Sequence, residues 1–203
     1  MPHKDQAQNN AYHRGYYRSH KAERNAMFVR VNRERRQDRY VKMRELKEGS
    51  PCTDCGVYFP YYVMDFDHRD PSTKFLDLSL MVKRMFAWDK VLAEVAKCDL
   101  VCVCCHRLRT YQGDENYRSR RFKEAKAFID RVKTDNPCKD CGDLFKACQM
   151  DFDHTGEKTG SIANLLSDGA DLEVIKAEIA KCDLVCANCH RERTQSRRTQ
   201  EAA

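Results

Sequence analysis

The sequence predicts an α+β chain: two small modules in tandem behind a basic helical arm. Three observations predict it: an internal repeat, four Cys-x-x-Cys pairs, and a cationic excess confined to the first fifty residues. The repeat has two blocks. Pro51–His68 (PCTDCGVYFPYYVMDFDH) matches Pro137–His154 (PCKDCGDLFKACQMDFDH) at 11 of 18 positions, offset by 86 residues. Glu94–Thr110 (EVAKCDLVCVCCHRLRT) matches Glu178–Thr194 (EIAKCDLVCANCHRERT) at 13 of 17, offset by 84. This is a tandem duplication. A unit of about 60 residues is marginal without a metal or a disulfide to tie it.

The elements follow in order. Residues 1–34 form the arm, polar and helical, with Tyr12, Tyr16, Tyr17 and Phe28 as its apolar anchors. The first module spans 35–111 and the second 120–196, with a polar linker at 112–119 and a tail at 197–203. Each module opens on an amphipathic helix, carried by Tyr40, Met43 and Leu46 in the first copy and by Phe122, Ala125, Phe128 and Val132 in the second. Gly49-Ser50-Pro51 and Asn136-Pro137 end these helices and lead into a cysteine knuckle. Tyr61–His68 and Ala147–His154 read as half-buried strands. Asp89–Lys97 and Leu172–Lys181 carry helical spacing through Val91, Leu92 and Val95, and through Val174, Ile175 and Ile179. Cys98 and Cys182 are expected as buried small residues on those helices.

Composition excludes some function classes. Residues 1–50 hold 13 Lys and Arg against 6 Asp and Glu, while residues 51–203 hold 24 against 25, so the net charge of +6 lies in the arm. A basic segment on a nearly neutral body points to a polyanion, since Lys and Arg on phosphates release counterions whatever the base sequence. Arg30, Arg33, Arg35, Arg36 and Arg39 are the arm's candidate phosphate contacts. No apolar run approaches the roughly 18 residues of a membrane span, and the first twenty residues lack a signal peptide's apolar stretch. The expectation is a cytoplasmic protein of a bacterial or phage-infected cell, with no membrane partner. Thiols stay reduced there, so closely paired cysteines read as metal ligands.

Cys52 and Cys55 with Cys102 and Cys105, and Cys138 and Cys141 with Cys186 and Cys189, make two sets of four thiolates. Each fits a closed tetrahedral Zn²⁺ site that supplies folding free energy. The 46 and 44 residues between the pairs exceed the spacing of a plain ribbon, so something is inserted. Inside each insertion stands Asp-Phe-Asp-His, at Asp65–His68 and Asp151–His154. A further histidine, His106 or His190, follows the last cysteine. The set suits metal-assisted phosphodiester hydrolysis. Asp67 with His106, and Asp153 with His190, supply ligands for a divalent cation, and His68 or His154 takes the proton of the attacking water.

Cys-x-x-Cys, then Asp-His, then Leu-Val-Cys-x-x-Cys-His-Arg-x-x-Thr resembles the zinc-containing HNH endonucleases of phages and mobile elements. The resemblance covers residues of about 50–110 and 136–194. It implies a ββα-metal fold with Asp-His at the end of the first strand and the last His on the helix. It also implies His68 and His154 as general bases, and Asp67, Asp153, His106 and His190 as ligands of Mg²⁺ or Mn²⁺. The family's middle Asn would fall at Lys97 and Lys181; Asn188 is a candidate substitute, and Cys104 stands there in the first copy, which makes the second copy the expected stronger catalyst. Arg107, Arg109, Arg191 and Arg193 follow the last histidines as candidate DNA contacts. The expectation is a DNA endonuclease or nickase acting on double-stranded DNA as a monomeric pseudo-dimer. The rivals are a zinc-stabilised nucleic-acid-binding protein with one or both modules inactive, and a zinc-dependent adaptor.

Overall fold

A computed structural model describes residues 6–111 and 120–201; the expected linker, Gln112–Ser119, lies outside the described residues. Two helices form the arm, α1 (Gln6–Ser19) and α2 (Lys21–Glu45). The first copy then runs β1 (Met64–His68), α3 (Leu78–Lys83), α4 (Trp88–Val95), β2 (Cys98–Cys102) and α5 (Val103–Thr110). The second copy repeats this as α6 (Arg120–Asp135), β3 (Met150–His154), α7 (Ile162–Ser167), α8 (Leu172–Ile179), β4 (Cys182–Cys186) and α9 (Ala187–Glu201). Both copies are thus α+β, each with a two-stranded antiparallel sheet.

The chain divides into two compact units that cut across the repeat. One holds the arm up to Leu46 together with Lys74–Ala96, which carries α3 and α4. Leu78, Met81, Val82 and Val91 are its buried apolar residues, and Glu94 is buried with them. No residue of α2 is buried, and Tyr12, Tyr16, Tyr17 and Phe28, expected as anchors, are exposed. A helix as polar as α2 finds little apolar surface to bury, so its cationic face stays in water. Arg39 instead lies over the Trp88 ring at 6.0 Å, with Lys42 at 5.8 Å.

The other unit, Lys47–Thr73 with the chain from Lys97 on, contains both sheets, α5 and α9. Its main cluster joins the copies: Val63, Met64, Val101 and Val103 pack with Met150, Val185 and Ala187, and with buried Cys52, Cys102, Cys138 and Cys186. So few apolar side chains per copy could not fill a core alone, and each copy completes the other's. A second cluster sets Ala125 and Ile129 of α6 against Ile162 and Ile175, as the spacing of Phe122 to Val132 anticipates.

Register places the chemistry. Met64 pairs with Cys102, Phe66 with Leu100, Asp67 with Asp99 and His68 with Cys98, and the second sheet pairs the equivalent residues. Alternation puts Asp65 and Asp67 on one face of β1 and Met64 and Phe66 on the other, with His68 at the strand's end; in the second copy the equivalent His154 lines one cleft with Asp151 and His190. Cys98 and Cys182 correct the expectation: they open strands, half-buried, and do not continue the helices before them. The helices stop at Val95 and Ile179, and the Asp-Leu-Val that follows, apolar at its last two residues, pairs with the Asp-Phe-Asp strand. Among the described residues no helix is long and apolar enough to cross a membrane.

Candidate metal centres and the site beside them

Each four-cysteine set comes together. The sulfurs of Cys52, Cys55, Cys102 and Cys105 lie within 4.8 Å of one another, and so do those of Cys138, Cys141, Cys186 and Cys189. The first knuckle is a tight turn in which Cys52 N–H donates to Val57 O and Gly56 N–H to Cys52 O, both at 2.9 Å, with Gly56 at φ +72°. Gly142 repeats this at φ +78°, a conformation that an L side chain adopts at a cost. Backbone amides also point at the sulfurs: Cys102 N–H donates to Cys52 Sγ at 3.2 Å, and Cys186 N–H to Cys138 Sγ at 3.1 Å. Burial raises the Cys52 thiol pKa, but the amides of Cys55, Cys102 and Asp54 outweigh it and bring it down to about 7. Four sulfurs, converged and served by amide donors, fit a structural Zn²⁺, for which thiolates are the preferred ligands.

Cys102 ends β2 and Cys105 lies in the first turn of α5, so the metal knuckle fixes where α5 starts. His106 follows at once and faces the acidic side of β1. Its Nδ1 donates to Asp65 Oδ2 at 3.2 Å, while Nε2 lies 3.6 Å from Asp67 Oδ1. A carboxylate only accepts, so the proton belongs on Nδ1 and the Nε2 lone pair is directed toward Asp67. The second copy repeats this: His190 Nδ1 to Asp151 Oδ2 at 3.0 Å, and Nε2 to Asp153 Oδ1 at 3.6 Å. A separation of 3.6 Å is long for a hydrogen bond but less than two metal–ligand bonds of about 2.1 Å end to end, so one hard cation fits both atoms. The structure therefore brings together the expected pairs Asp67 with His106 and Asp153 with His190.

The two pairs differ in how far other groups already hold them. Asp67 accepts from Arg109 on Oδ2 at 3.2 Å and its side chain is 18% exposed. Asp153 accepts from Arg193 on Oδ2 and Arg197 on Oδ1, both at 3.0 Å, and is 4% exposed. The extra arginine comes from α9, which runs on where α5 ends; the expected tail from residue 197 is helix as far as Glu201. The first copy's pair is thus the more accessible to a cation.

His154 has a partner that sequence reasoning missed. Its Nε2 donates to Glu178 Oε1 at 2.9 Å, leaving Nδ1 as the nitrogen that can accept a proton. Glu178 also accepts from Lys181 at 2.7 Å and from the Thr159 and Gly160 amides at 2.9 and 3.1 Å. The Lys181 ammonium and the Gly160 amide hold its carboxyl well below the usual carboxylate range. Glu94 is its counterpart in the first repeat block and accepts from the Phe75 amide at 2.8 Å. A cleft of about 600 Å³ opens beside His154, lined among others by Arg107, Lys133, Asp151, Lys158 and His190. Lys47 and Lys133, also at matching positions, lie 5.6 and 5.4 Å over the rings of Phe66 and Phe152, and burial lowers the pKa of both. Their signal was identity at the 86-residue offset.

The arginines after the last histidines are committed inside the protein. Arg109 donates to Asp54, to Asp67 at 3.2 Å and to Asp99 at 3.0 Å. Arg193 repeats this with Asp140, Asp153 and Asp183. Asp67 and Asp99 stand opposite each other in the sheet, where like charges repel, and the guanidinium between them relieves it. Arg107 and Arg191 pair with carboxylates of the other copy. These four, expected as DNA contacts, are thus tied to carboxylates: Arg109 and Arg193 are each shared among three, while Arg107 and Arg191 keep further N–H groups and are 37 and 36% exposed. Asn188 likewise lies between the copies, where its Oδ1 accepts from Cys104 N–H at 3.1 Å, and it has no part in the Asp–His pairs. No protein-family model, curated protein or solved structure matches the chain.

Two expectations can be measured. The chain should carry two zinc ions, and Cys52→Ser or Cys138→Ser should each leave one. Chelation should unfold the chain, because a bound structural zinc contributes on the order of 10 kcal/mol; elemental analysis and circular dichroism read both. Asp65→Asn should cost about 1–3 kcal/mol, as a charge-assisted pair is removed. The loss should be larger at pH 6 than at pH 9. The hydrogen bond to Asp65 raises the His106 pKa, so that pairing stabilises fully below about 6.5 and fades as pH rises through the raised value. Thermal unfolding of the zinc-loaded chain at the two pH values tests it.

Proposed function

We propose that the protein is a metal-dependent DNA endonuclease or nickase of the HNH type, with two zinc-tied ββα modules. One observation carries the reading: both copies hold an Asp–His pair 3.6 Å apart next to a strand-terminal histidine, with the paired histidine's other nitrogen locked by a second aspartate. A structural zinc site alone requires none of these groups.

A Mg²⁺ or Mn²⁺ ion held by Asp67 and His106, or by Asp153 and His190, would stabilise negative charge on the phosphate and the leaving oxygen. His68 and His154 accept the proton of the water that attacks phosphorus. The bond to the 3′ oxygen breaks, leaving a 5′-phosphate and a 3′-hydroxyl protonated from solvent. Glu178 holds the His154 ring and stabilises the imidazolium as it forms. Asp65 and Asp151 fix the tautomers of His106 and His190. With Arg107, Arg109, Arg191 and Arg193 paired to carboxylates, phosphate affinity falls chiefly to the arm, where Arg30, Arg33, Arg35 and Arg36 are exposed, and to the exposed Lys158 of the cleft.

A second reading has its own observation. Asp153 is held on both oxygens by arginines, which favours a second copy that binds nucleic acid without cutting it.

Supercoiled plasmid with Mg²⁺, Mn²⁺ or EDTA separates the readings. If both copies cut, His68→Ala and His154→Ala each turn linearisation into nicking, with about a hundredfold loss at the altered site. The double variant is then inert. Full activity in the double variant refutes the mechanism, and loss of all cleavage in His68→Ala alone assigns the chemistry to the first copy. Changing Arg30, Arg33, Arg35 and Arg36 to Gln should weaken binding to every DNA sequence and flatten the salt dependence by about 0.9 for each phosphate no longer neutralised. An unchanged salt slope removes the arm from the interface.

A further inference from the structure

Two ion pairs cross between the copies with matched geometry. Arg107 of the first copy donates to Asp151 of the second, Nη1 to Oδ1 at 2.8 Å and Nη2 to Oδ2 at 2.9 Å. Arg191 of the second copy donates to Asp65 of the first, Nη1 to Oδ1 at 2.9 Å and Nη2 to Oδ2 at 2.8 Å. Arg191 also reaches Tyr62 O at 3.2 Å, just ahead of β1. Each aspartate is the one that grips the Nδ1 of its own module's histidine. Asp54 and Asp99 are held within the first copy by Arg109 and take no part in the crossing. Both arginines instead grip the carboxylate that orients the histidine paired with Asp67 or Asp153.

We propose that the two catalytic centres are reciprocally completed, Arg107 being a positioning residue for the second copy's centre and Arg191 for the first copy's. The proposal rests on the phosphodiesterase reading for its chemistry, and on the crossed ion pairs for its geometry. A bidentate guanidinium fixes both oxygens of a carboxylate in one plane. With that plane set, Oδ2 receives the imidazole N–H and Nε2 is held toward the second aspartate. Without the arginine, the carboxylate turns to water and the ring loses its anchor. Removing such a supporting partner costs about ten- to a hundredfold in metal affinity or activity. A single module lacks its arginine, so neither copy is complete without the other.

The test uses the full zinc-loaded chain with one base left. His68→Ala leaves the second copy to nick plasmid, and His154→Ala leaves the first. Arg107→Ala should lower nicking at least about tenfold more in the His68→Ala chain than in the His154→Ala chain, and Arg191→Ala should show the opposite preference. Arg→Lys keeps a charge but not the bidentate grip, and should recover only part of the loss. Mn²⁺ binding, read by electron paramagnetic resonance without DNA, gives a second readout. In Asp67→Asn, which leaves the second copy's pair, Arg107→Ala should weaken Mn²⁺ binding about tenfold more than Arg191→Ala does. In Asp153→Asn the order should reverse. Two zinc ions per chain show that each variant is folded. Equal losses in both backgrounds, or losses confined to the arginine's own copy, overturn the proposal, as does a chain that binds no Mn²⁺. A crossed Mn²⁺ pattern in a parent that cuts no DNA refutes the nuclease reading and upholds the reciprocal positioning.

Discussion

Each module depends on four sulfur atoms being drawn to one point from two distant knuckles. Cys52 and Cys55 lie in a turn before β1, while Cys102 and Cys105 straddle the junction of β2 and α5. Joining them sets the start of α5 against the sheet, and everything chemical follows from that start. His106 is one residue past Cys105, so whatever fixes that sulfur also fixes His106. The knuckle cysteines are also core: Cys52, Cys102, Cys138 and Cys186 are buried within the cluster that both copies share. A four-sulfur junction that could hold a metal ion stands where units this small cannot build a larger apolar core.

That junction gathers acid. Asp54, Asp65, Asp67 and Asp99 crowd one end of the first sheet, and Asp140, Asp151, Asp153 and Asp183 crowd the second. Arg109 and Arg193 each hold three of them, and the crossed arginines hold a fourth. This accounts for the partition of charge along the chain. Residues 51–203 carry 24 cationic and 25 anionic groups because much of their charge is consumed pairwise at the sheets. The arm has few such partners, as its exposed Arg33, Arg35 and Arg36 show, so the net positive charge available to a polyanion stays there.

Much of this was legible in the chain. The two thiolate sets, the helix at Phe122–Val132 and the pairing of Asp67 with His106 follow from spacing and repetition. The strands at Cys98–Cys102 and Cys182–Cys186 did not. Each runs directly on from a helix with no Gly or Pro between, and five residues are too few to show a period. The anchors assigned to the arm failed because an aromatic residue in a polar helix signals burial only if a partner surface exists. Glu178, Lys133 and the crossed arginines were missed for a different reason: what they touch is remote in sequence. Their signal was identity in both copies, visible at Glu94 and Glu178, Lys47 and Lys133, and Arg107 and Arg191, but identity alone does not say which residue faces which.

Cys104 shows how far a linear comparison can mislead. It replaces the Asn188 of the second copy, which reads as decay of the first. The structure sets these two equivalent positions against each other, Cys104 N–H donating to the Asn188 side chain while the Cys104 carbonyl accepts from Gln149 at 3.2 Å. Where two copies meet with reciprocal contacts, as the crossed arginines do, a residue can face its own counterpart. In a symmetric pair both would have to be the same, and two buried asparagines would each need a partner for an amide group. A fused chain is released from that constraint, and a small thiol opposite one amide fills the space with fewer polar atoms to satisfy. The difference at position 104 therefore belongs to the packing between copies. The asymmetry that bears on the site is the longer α9, which brings Arg197 onto Asp153 and leaves Asp67, in the copy that sequence alone would discount, as the more accessible carboxylate.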